Sequence, residues 1–219
     1  GVNLLFDTNL IEIISDENGR VKAIKTDKHG IIDCKFVGLT AGVSPNVEFL
    51  KETELEIDRG ILVNEFLETN LPKVYAAGDC VQLRKVSSGR RNIEQVWYTG
   101  RMMGETLAKT ITGNRTEYKP GVWFNSAKFF DIEYQTYGLV SAQPLDGQSN
   151  FYWENSAKKV AIHLVFEEAT QKFIGINTFG IRMRHELFDK WLSNRESIGH
   201  VLTHLKDANF DPEFYQTYE

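Results

Sequence analysis

The most regular pattern in the sequence is an alternation of apolar and polar residues in its last third. In "KKVAIHLVFEE" (158–168) every second residue from Val160 to Phe166 is apolar. Because successive side chains of a strand point to opposite faces of its sheet, these residues share one face. A second apolar run, "KFIGINTFGI" (172–181), follows after a short polar turn. The two runs predict a β-hairpin.

The aromatic residues concentrate in the same part of the chain. Of the 26 Phe, Trp and Tyr residues, 7 precede residue 118 and the other 19 lie at residue 118 or after it. This shift predicts a separate core with a boundary near residue 117. Helices are expected at about 183–193 and 196–206, so this part is predicted to be α+β with an antiparallel sheet. Several aromatics could form a substrate surface or a packed core, and burial and subunit contact are favoured for them: Trp123, Trp153, Trp191, Phe129, Phe130, Tyr134 and Tyr137.

The clearest helical pattern is "NIEQVWYTGRMMGETLAKTITG" (92–113), in which apolar residues and glycines recur at helical spacing. Asn92 and Gln95 resemble a capping box, and Gly113 fits the C-terminal stop. Gly100 and Gly104 lie one turn apart and lower helix propensity. They therefore predict that another element packs closely against this face.

The first 40 residues predict three or four short strands in an antiparallel meander, separated by polar turns at 16–20 and 27–30. A helix is expected to start near Ser44. Strands are expected in "GILVNEFLETN" (60–70) and "KVYAAGD" (73–79). Strands and helices thus mix in the segment between the meander and the long helix.

The charge balance bears on possible partners. The chain has 25 basic and 30 acidic residues, a net charge of -5, and no long block of either sign. Nucleic acids and anionic membranes are therefore not expected as partners, whereas small molecules and proteins are. There is no apolar run long enough to cross a bilayer, and the chain is expected to be soluble and cytoplasmic. Cys34 and Cys80 form no C-x-x-C pair and are expected to be reduced, with Cys34 in the core.

One stretch suggests a binding site. "LPKVYAAGDC" (71–80) is an apolar run that ends on Gly78 and the carboxylate of Asp79. A charge at the tip of a predicted buried strand indicates that something binds there. The longer run "VGLTAGVSPNVEFLKETELEIDRGILVNEFLETNLPKVYAAGDC" (37–80) resembles the FAD-dependent pyridine nucleotide-disulfide oxidoreductase superfamily, in the branch of NADH oxidases and ferredoxin, rubredoxin or nitrite reductases.

The resemblance implies an α/β plus α+β architecture. Residues 1–35 would be the last strands of an NAD(P)H-binding domain, and 36–116 the second half of a Rossmann-like FAD-binding domain. Residues 117–219 would be a C-terminal α+β interface domain through which the protein forms a homodimer. FAD and NAD(P)H are the cofactors implied for the complete protein.

The resemblance also assigns site residues. Asp79 would accept hydrogen bonds from the ribityl hydroxyls of the flavin, a role that suits an acceptor-only carboxylate. Gly78 would let the backbone approach the ligand. Backbone groups of Cys80 and Val81, with the helix N-terminus, would lie toward the flavin ring. Gly42 matches a glycine where the chain of this family crosses between its two nucleotide domains, although a plain turn glycine is the alternative.

The sequence departs from the family in what it lacks. Neither G-x-G-x-x-G fingerprint, for FAD or for NAD(P)H, occurs in these 219 residues. The chain is therefore interpreted as the C-terminal part of an NAD(P)H oxidoreductase, inactive by itself, whose parent passes electrons to a disulfide, oxygen or a small redox protein. No catalytic acid, base or nucleophile is identified. The alternative is a non-catalytic structural module that mediates dimerisation.

One pair of histidines has the spacing of possible metal ligands. His200 and His204 are four residues apart on a predicted helix, a spacing that can bind a metal. The sequence offers no third ligand near them, and no metal is expected.

Overall fold

The computed structural model describes residues 2–86, 90–143 and 145–210. The chain divides into two compact units, residues 1–43 and 44–219. Within the second unit we call residues 44–121 the first region and residues 122–210 the second region. The predicted domain boundaries at 35/36 and 116/117 stay predictions.

The unit 1–43 is a three-stranded antiparallel meander, as predicted. Its strands are β1 (Leu10–Ser15), β2 (Val21–Thr26) and β3 (Gly30–Asp33), in the order β1-β2-β3. The buried side chains among the described residues of this unit are Ala23 and Thr26. Cys34 follows β3 and is only half-buried, so its predicted core position is wrong.

The first region has little regular structure. It contains a short 3-10 helix (Glu48–Leu50), strands β4 (Ile61–Val63) and β5 (Val81–Leu83), and helix α1 (Trp97–Ile111). The strands β4 and β5 are paired in parallel. Their side chains pack with those of α1 and neighbouring loops in one apolar core: Val47, Ile61, Val63, Leu67, Ala76, Val81, Leu83, Met103 and Tyr118.

Two predictions fail in the first region. The helix expected from Ser44 is reduced to one 3-10 turn at 48–50. The strand expected at 73–79 does not form, because a strand requires a paired neighbour and the described residues supply only the single bridge between Glu68 and Tyr75. The regular strand lies just beyond it, at β5.

Helix α1 is shorter than predicted. It begins at Trp97 rather than at Asn92, and its N-cap is Val96, so the capping box expected from Asn92 and Gln95 is wrong. The predicted end is confirmed, since Gly113 follows the helix with φ +97°. The predicted apolar face is only partly buried: Met103 is buried, whereas Trp97 and Ile111 are exposed. The helix therefore buries fewer of its side chains than its sequence spacing predicts.

The second region is a five-stranded antiparallel sheet with two helices. Its strands are β6 (Phe124–Phe129), β7 (Ile132–Gly138), β8 (Gln148–Asn155), β9 (Val160–Glu167) and β10 (Phe173–Phe179), in the order β6-β7-β10-β9-β8. The helices are α2 (His185–Ser193) and α3 (Ile198–His204), followed by a 3-10 turn (Leu205–Ala208). The predicted hairpin is confirmed as β9 and β10, and both helices lie where they were predicted.

The aromatic residues of the second region divide between core and surface. Tyr137 stacks on Phe188 with ring centroids 4.9 Å apart, and Phe188 meets the edge of Trp191 at 5.2 Å. All three side chains are buried. Phe129 at the end of β6 and Phe130 in the following turn are instead exposed, Phe130 to 98%. No helix among the described residues is long and apolar enough to cross a membrane.

Candidate functional site

The backbone at Gly78 is held against helix α1. Gly78 has φ +90°, a left-handed conformation that favours glycine. Its N–H donates to the thioether sulfur of Met103 over 3.4 Å. A Cβ built on Gly100 would lie 3.6 Å from the Cα of Gly78, so the two glycine backbones are in close contact. This confirms the close packing predicted for Gly100, whereas Gly104 has no such neighbour within 4 Å.

Asp79 follows Gly78 and is exposed. In the part of the chain that the structure describes, its carboxylate has no hydrogen bond and no ion pair. A carboxylate has about four lone-pair positions for donors, and those of Asp79 are open to a ligand. Gly78 has a backbone reason to be glycine, its positive φ, and no protein atom lies within 4 Å of a Cβ built there.

The N-terminus of helix α1 lies close to this loop. Gly100 is in the first turn of α1, and it is the residue that contacts Gly78. The N-cap residue Val96 provides no side-chain cap, and the first turn contains no acidic residue. Uncapped amide groups and the positive end of the helix dipole therefore favour an electron-rich group here.

The other predicted site residues lie in two places. Cys80 is half-buried, and its thiol lies 3.8 Å from the carbonyl oxygen of Ala77. Val81 is buried at the start of β5 and donates its N–H to the carbonyl of Gly78. Residues 78–81 thus form one continuous loop-to-strand segment. Gly42 belongs to the unit 1–43, where it is exposed with φ +91°.

A buried ion pair that the sequence analysis missed lies just before α1. Arg90 and Glu94 make two contacts, Nε to Oε1 at 2.6 Å and Nη2 to Oε2 at 2.5 Å, with side chains only 9% and 5% exposed. Thr99 on α1 also donates to Glu94, over 3.3 Å. The i,i+4 spacing of Arg and Glu was visible in the sequence and is the signal that could have revealed the pair.

Arg90 also reaches the beginning of the second region. Its Nη1 donates to the carbonyls of Pro120 and Gly121, at 3.2 and 3.1 Å. Its guanidinium carbon lies 5.3 Å from the ring centroid of Trp123. Arg90 therefore joins the start of α1 to the segment that leads into the sheet.

The described residues contain no cluster of three or more His, Cys, Asp or Glu side chains that could hold a metal. His200 and His204 stack on each other with centroids 4.2 Å apart, and Nδ1 of His204 lies 2.9 Å from the carbonyl oxygen of His200. This pair packs beside Trp191 at the end of the core.

Comparison with known proteins shows which families and structures this chain is similar to. The family of pyridine nucleotide-disulphide oxidoreductases matches residues 1–104. An NAD(P)H coenzyme A polysulfide/persulfide reductase from Pyrococcus horikoshii is 28% identical over 82% of this chain and 42% of its own length. An NADH oxidase from Enterococcus faecalis is 24% identical over 98% of this chain and 51% of its own length. The chain thus spans about half the length of these relatives.

Solved structures show the same fold. A ferredoxin reductase from Rhodopseudomonas palustris has a TM-score of 0.71 at 22% identity, over 94% of this chain and 48% of its own. An NAD-dependent persulfide reductase from A. fulgidus has a TM-score of 0.73 at 21% identity, over 93% of this chain and 40% of its own.

The predicted resemblance to pyridine nucleotide-disulphide oxidoreductases is confirmed, and the family match itself lies on residues 1–104. Proteins of this family are FAD-dependent and use NAD(P)H, as predicted. The mixed α/β elements agree with the nucleotide-binding fold of the neighbours.

Proposed function

We propose that this chain is the C-terminal part of an FAD-dependent NAD(P)H oxidoreductase. The observation that carries the proposal is the exposed carboxylate of Asp79, which has no partner among the described residues and follows Gly78, whose backbone contacts Gly100 in the first turn of α1. These residues lie within the segment that matches the oxidoreductase family.

The residues present fit part of a flavin site. The carboxylate of Asp79 would accept hydrogen bonds from the ribityl hydroxyls, and the first turn of α1 would face the electron-rich side of the flavin ring. The backbone of Cys80 and Val81 would border the ring, and Gly42 would lie at the crossing between nucleotide domains. When bound, FAD supplies the hydride and electron chemistry. The chain's own residues bind and orient it.

The partial length of the chain supports assigning it to a larger protein. It covers 42–51% of the two relatives described above. In the unit 1–43, apolar side chains such as Leu10, Ile11 and Ile13 are exposed on β1, and such groups are usually covered in a complete domain. We therefore propose that residues 1–219 are inactive by themselves.

For the electron acceptor we propose a disulfide or polysulfide, oxygen, or a small redox protein. The names of relatives cover these classes, since they include polysulfide/persulfide reductase, NADH oxidase and rhodocoxin reductase. Steady-state oxidation of NAD(P)H by the complete protein, with each acceptor offered separately, would distinguish them.

The experiment that tests the flavin assignment is Asp79→Ala in the complete protein. Loss of charge-assisted hydrogen bonds of roughly 1.5–3 kcal/mol should weaken FAD binding about tenfold to a hundredfold, as measured by flavin titration. Asp146→Ala removes an equally exposed aspartate from a loop of the second region and serves as the control. Unchanged FAD affinity in Asp79→Ala would show that Asp79 is only a turn residue.

We also propose that residues 117–219 form the contact of a homodimer. Exposed apolar side chains support this: Phe129, Phe130, Phe151 and Tyr152. Phe151 and Tyr152 lie on β8, an edge strand whose free side can meet a second copy. Light scattering at micromolar concentration should give twice the monomer mass of 25.1 kDa. A monomer mass at that concentration would rule the dimer out.

A further inference from the structure

A cavity of about 320 Å³ lies at the carboxyl ends of β4 and β5. Glu65 follows β4 and lines one side, while Leu83 and Lys85 line the other side at the end of β5. Ligands commonly bind at the carboxyl ends of parallel strands. Asp79 precedes β5, so the cavity and the candidate flavin residues lie at opposite ends of that strand. The cavity is therefore a separate candidate site.

The charges around the cavity are unbalanced. Lys85 and Arg91 line it, are exposed, and have no ion pair or hydrogen bond within the described parts of the chain. Of the three carboxylates at the cavity, Glu94 is paired with Arg90 at 2.5 Å and Glu117 with Lys119 at 3.4 Å, whereas Glu65 has no ion pair among the described residues. Among the described residues the unpaired charges at the cavity are thus two cations, Lys85 and Arg91, against the one carboxylate of Glu65, and the excess of positive charge favours an anionic ligand.

Tyr118 also lines the cavity, and its buried hydroxyl has no partner among the described residues. Tyr118 is 5% exposed, and its OH makes no hydrogen bond among the described residues. Buried polar groups almost always have a partner, so this one calls for an explanation. Burial raises the pKa of Tyr118 to about 12, while the charges of Arg90 and Glu94 act on it in opposite directions. The phenol therefore stays protonated at neutral pH and is available as a donor.

We propose that this cavity binds a small oxyanion, carried by a phosphate ester or a carboxylate. Lys85 and Arg91 neutralise its charge at the rim, and the hydroxyl of Tyr118 donates a hydrogen bond to it. Leu83, Val86 and Pro120 provide apolar contact for the remainder of the ligand. The buried pair of Arg90 and Glu94 forms a fixed wall that is already neutral.

The test is calorimetric titration of the 219-residue chain with inorganic phosphate and, separately, with succinate. Saturable binding with a Kd of about 1 mM or tighter is expected for at least one of them, and added salt should weaken it. Saturation by phosphate alone or by succinate alone would support the site and identify its anion. Absence of saturable binding by both would overturn the proposal.

Two variants locate the binding. The double variant Lys85→Gln, Arg91→Gln should weaken it at least about tenfold, whereas Lys109→Gln, an exposed lysine of α1 that does not line the cavity, should leave it unchanged. Tyr118→Phe should weaken it about fivefold or more without lowering the melting temperature, because the hydroxyl has no partner to lose. Equal affinity in the native chain and the double variant would show adventitious surface binding and would overturn the proposal.

Discussion

The first and second regions of the larger unit are stabilised in different ways. The second region has five paired strands, two helices and a core that includes Tyr137, Phe188 and Trp191. The first region has two strands of three residues and one long helix, and polar contacts join its loops. These include the Arg90–Glu94 and Arg115–Glu68 ion pairs and the hydrogen bond from Gln82 to Asp58.

The first region contains the candidate binding residues, whereas the second region is mainly a packed core. Both the candidate flavin residues and the cavity are in the first region, where the backbone leaves regular pairing and exposes polar groups. Loops placed by a rigid scaffold commonly carry function for this reason. The second region shows no comparable arrangement in its described residues, and its exposed aromatics are the basis for the proposed dimer contact.

The sharpest test of this comparison is Arg90→Met. It leaves the carboxylate of Glu94 buried with Thr99 as its donor, and it removes the link to Pro120 and Gly121. Breaking one partner of a buried ion pair costs about 3–5 kcal/mol. We expect a loss of that size in the free energy of unfolding, measured by urea denaturation.

The matched control is Arg101→Met. Arg101 and Glu105 have the same i,i+4 spacing, but their side chains are 62% and 59% exposed. An exposed pair of this kind contributes only about 0.3–0.5 kcal/mol. If the two variants lost equal stability, the first region would not depend on its buried pair, and the contrast between the regions would fail.

The sequence predicted the second region more accurately than the first, and the reason is physical. The alternation from Val160 to Phe166 indicates one buried face, and the strand that pairs with this segment follows closely in the chain. The run 73–79 also has an apolar centre, but whether it becomes a strand depends on a neighbour that local sequence does not specify. Helix α1 was correct in type and wrong by five residues at its start, where no side-chain cap fixes the boundary.

The candidate site was predicted by resemblance rather than by pattern. Gly78 and Asp79 were identified from the motif, but the contacts that place them were not. Met103 was expected only as an apolar residue of the helix, and Tyr118 had no assigned role. Both residues contact parts of the chain that are distant in sequence, and the spacing of residues within one helix or strand cannot reveal such contacts.

The second prediction concerns how the first region holds its binding loop. Met103→Leu keeps an apolar side chain of similar volume but removes the sulfur that accepts the N–H of Gly78. Repacking and the lost hydrogen bond together should cost about 1–1.5 kcal/mol. The amide proton of Gly78 should also exchange faster with solvent, as measured by NMR.

Met102→Leu is the control, since Met102 packs at the edge of the same core and accepts no hydrogen bond from Gly78. In the Met102→Leu variant, the amide proton of Gly78 should exchange with solvent at the same rate as in the native chain. Equal exchange rates in Met103→Leu and the native chain would mean that the loop is held without the thioether.

The smallest expected effect concerns the dependence of the first region on ionised carboxylates. Glu68 accepts two hydrogen bonds from Arg115, both at 2.8 Å, and one from Asn64 at 2.7 Å. These donors, Arg115 first, lower the pKa of Glu68 from 4.5 to about 2. Because the folded pKa is depressed, the stabilisation is complete above pH 4.5 and is lost as the pH falls toward about 2.

Glu68→Gln should therefore destabilise the chain at neutral pH and have a diminishing effect in acid. The loss should be at most about 1 kcal/mol, because water screens a pair in which Arg115 is largely exposed. Urea unfolding at about pH 7 and at about pH 3 should show a difference between native chain and variant that shrinks with acidity. Glu105→Gln, which removes a carboxylate from the exposed pair with Arg101, should show almost no such change. A Glu68→Gln difference that stayed constant with pH would mean that hydrogen bonding, rather than charge, accounts for this contact.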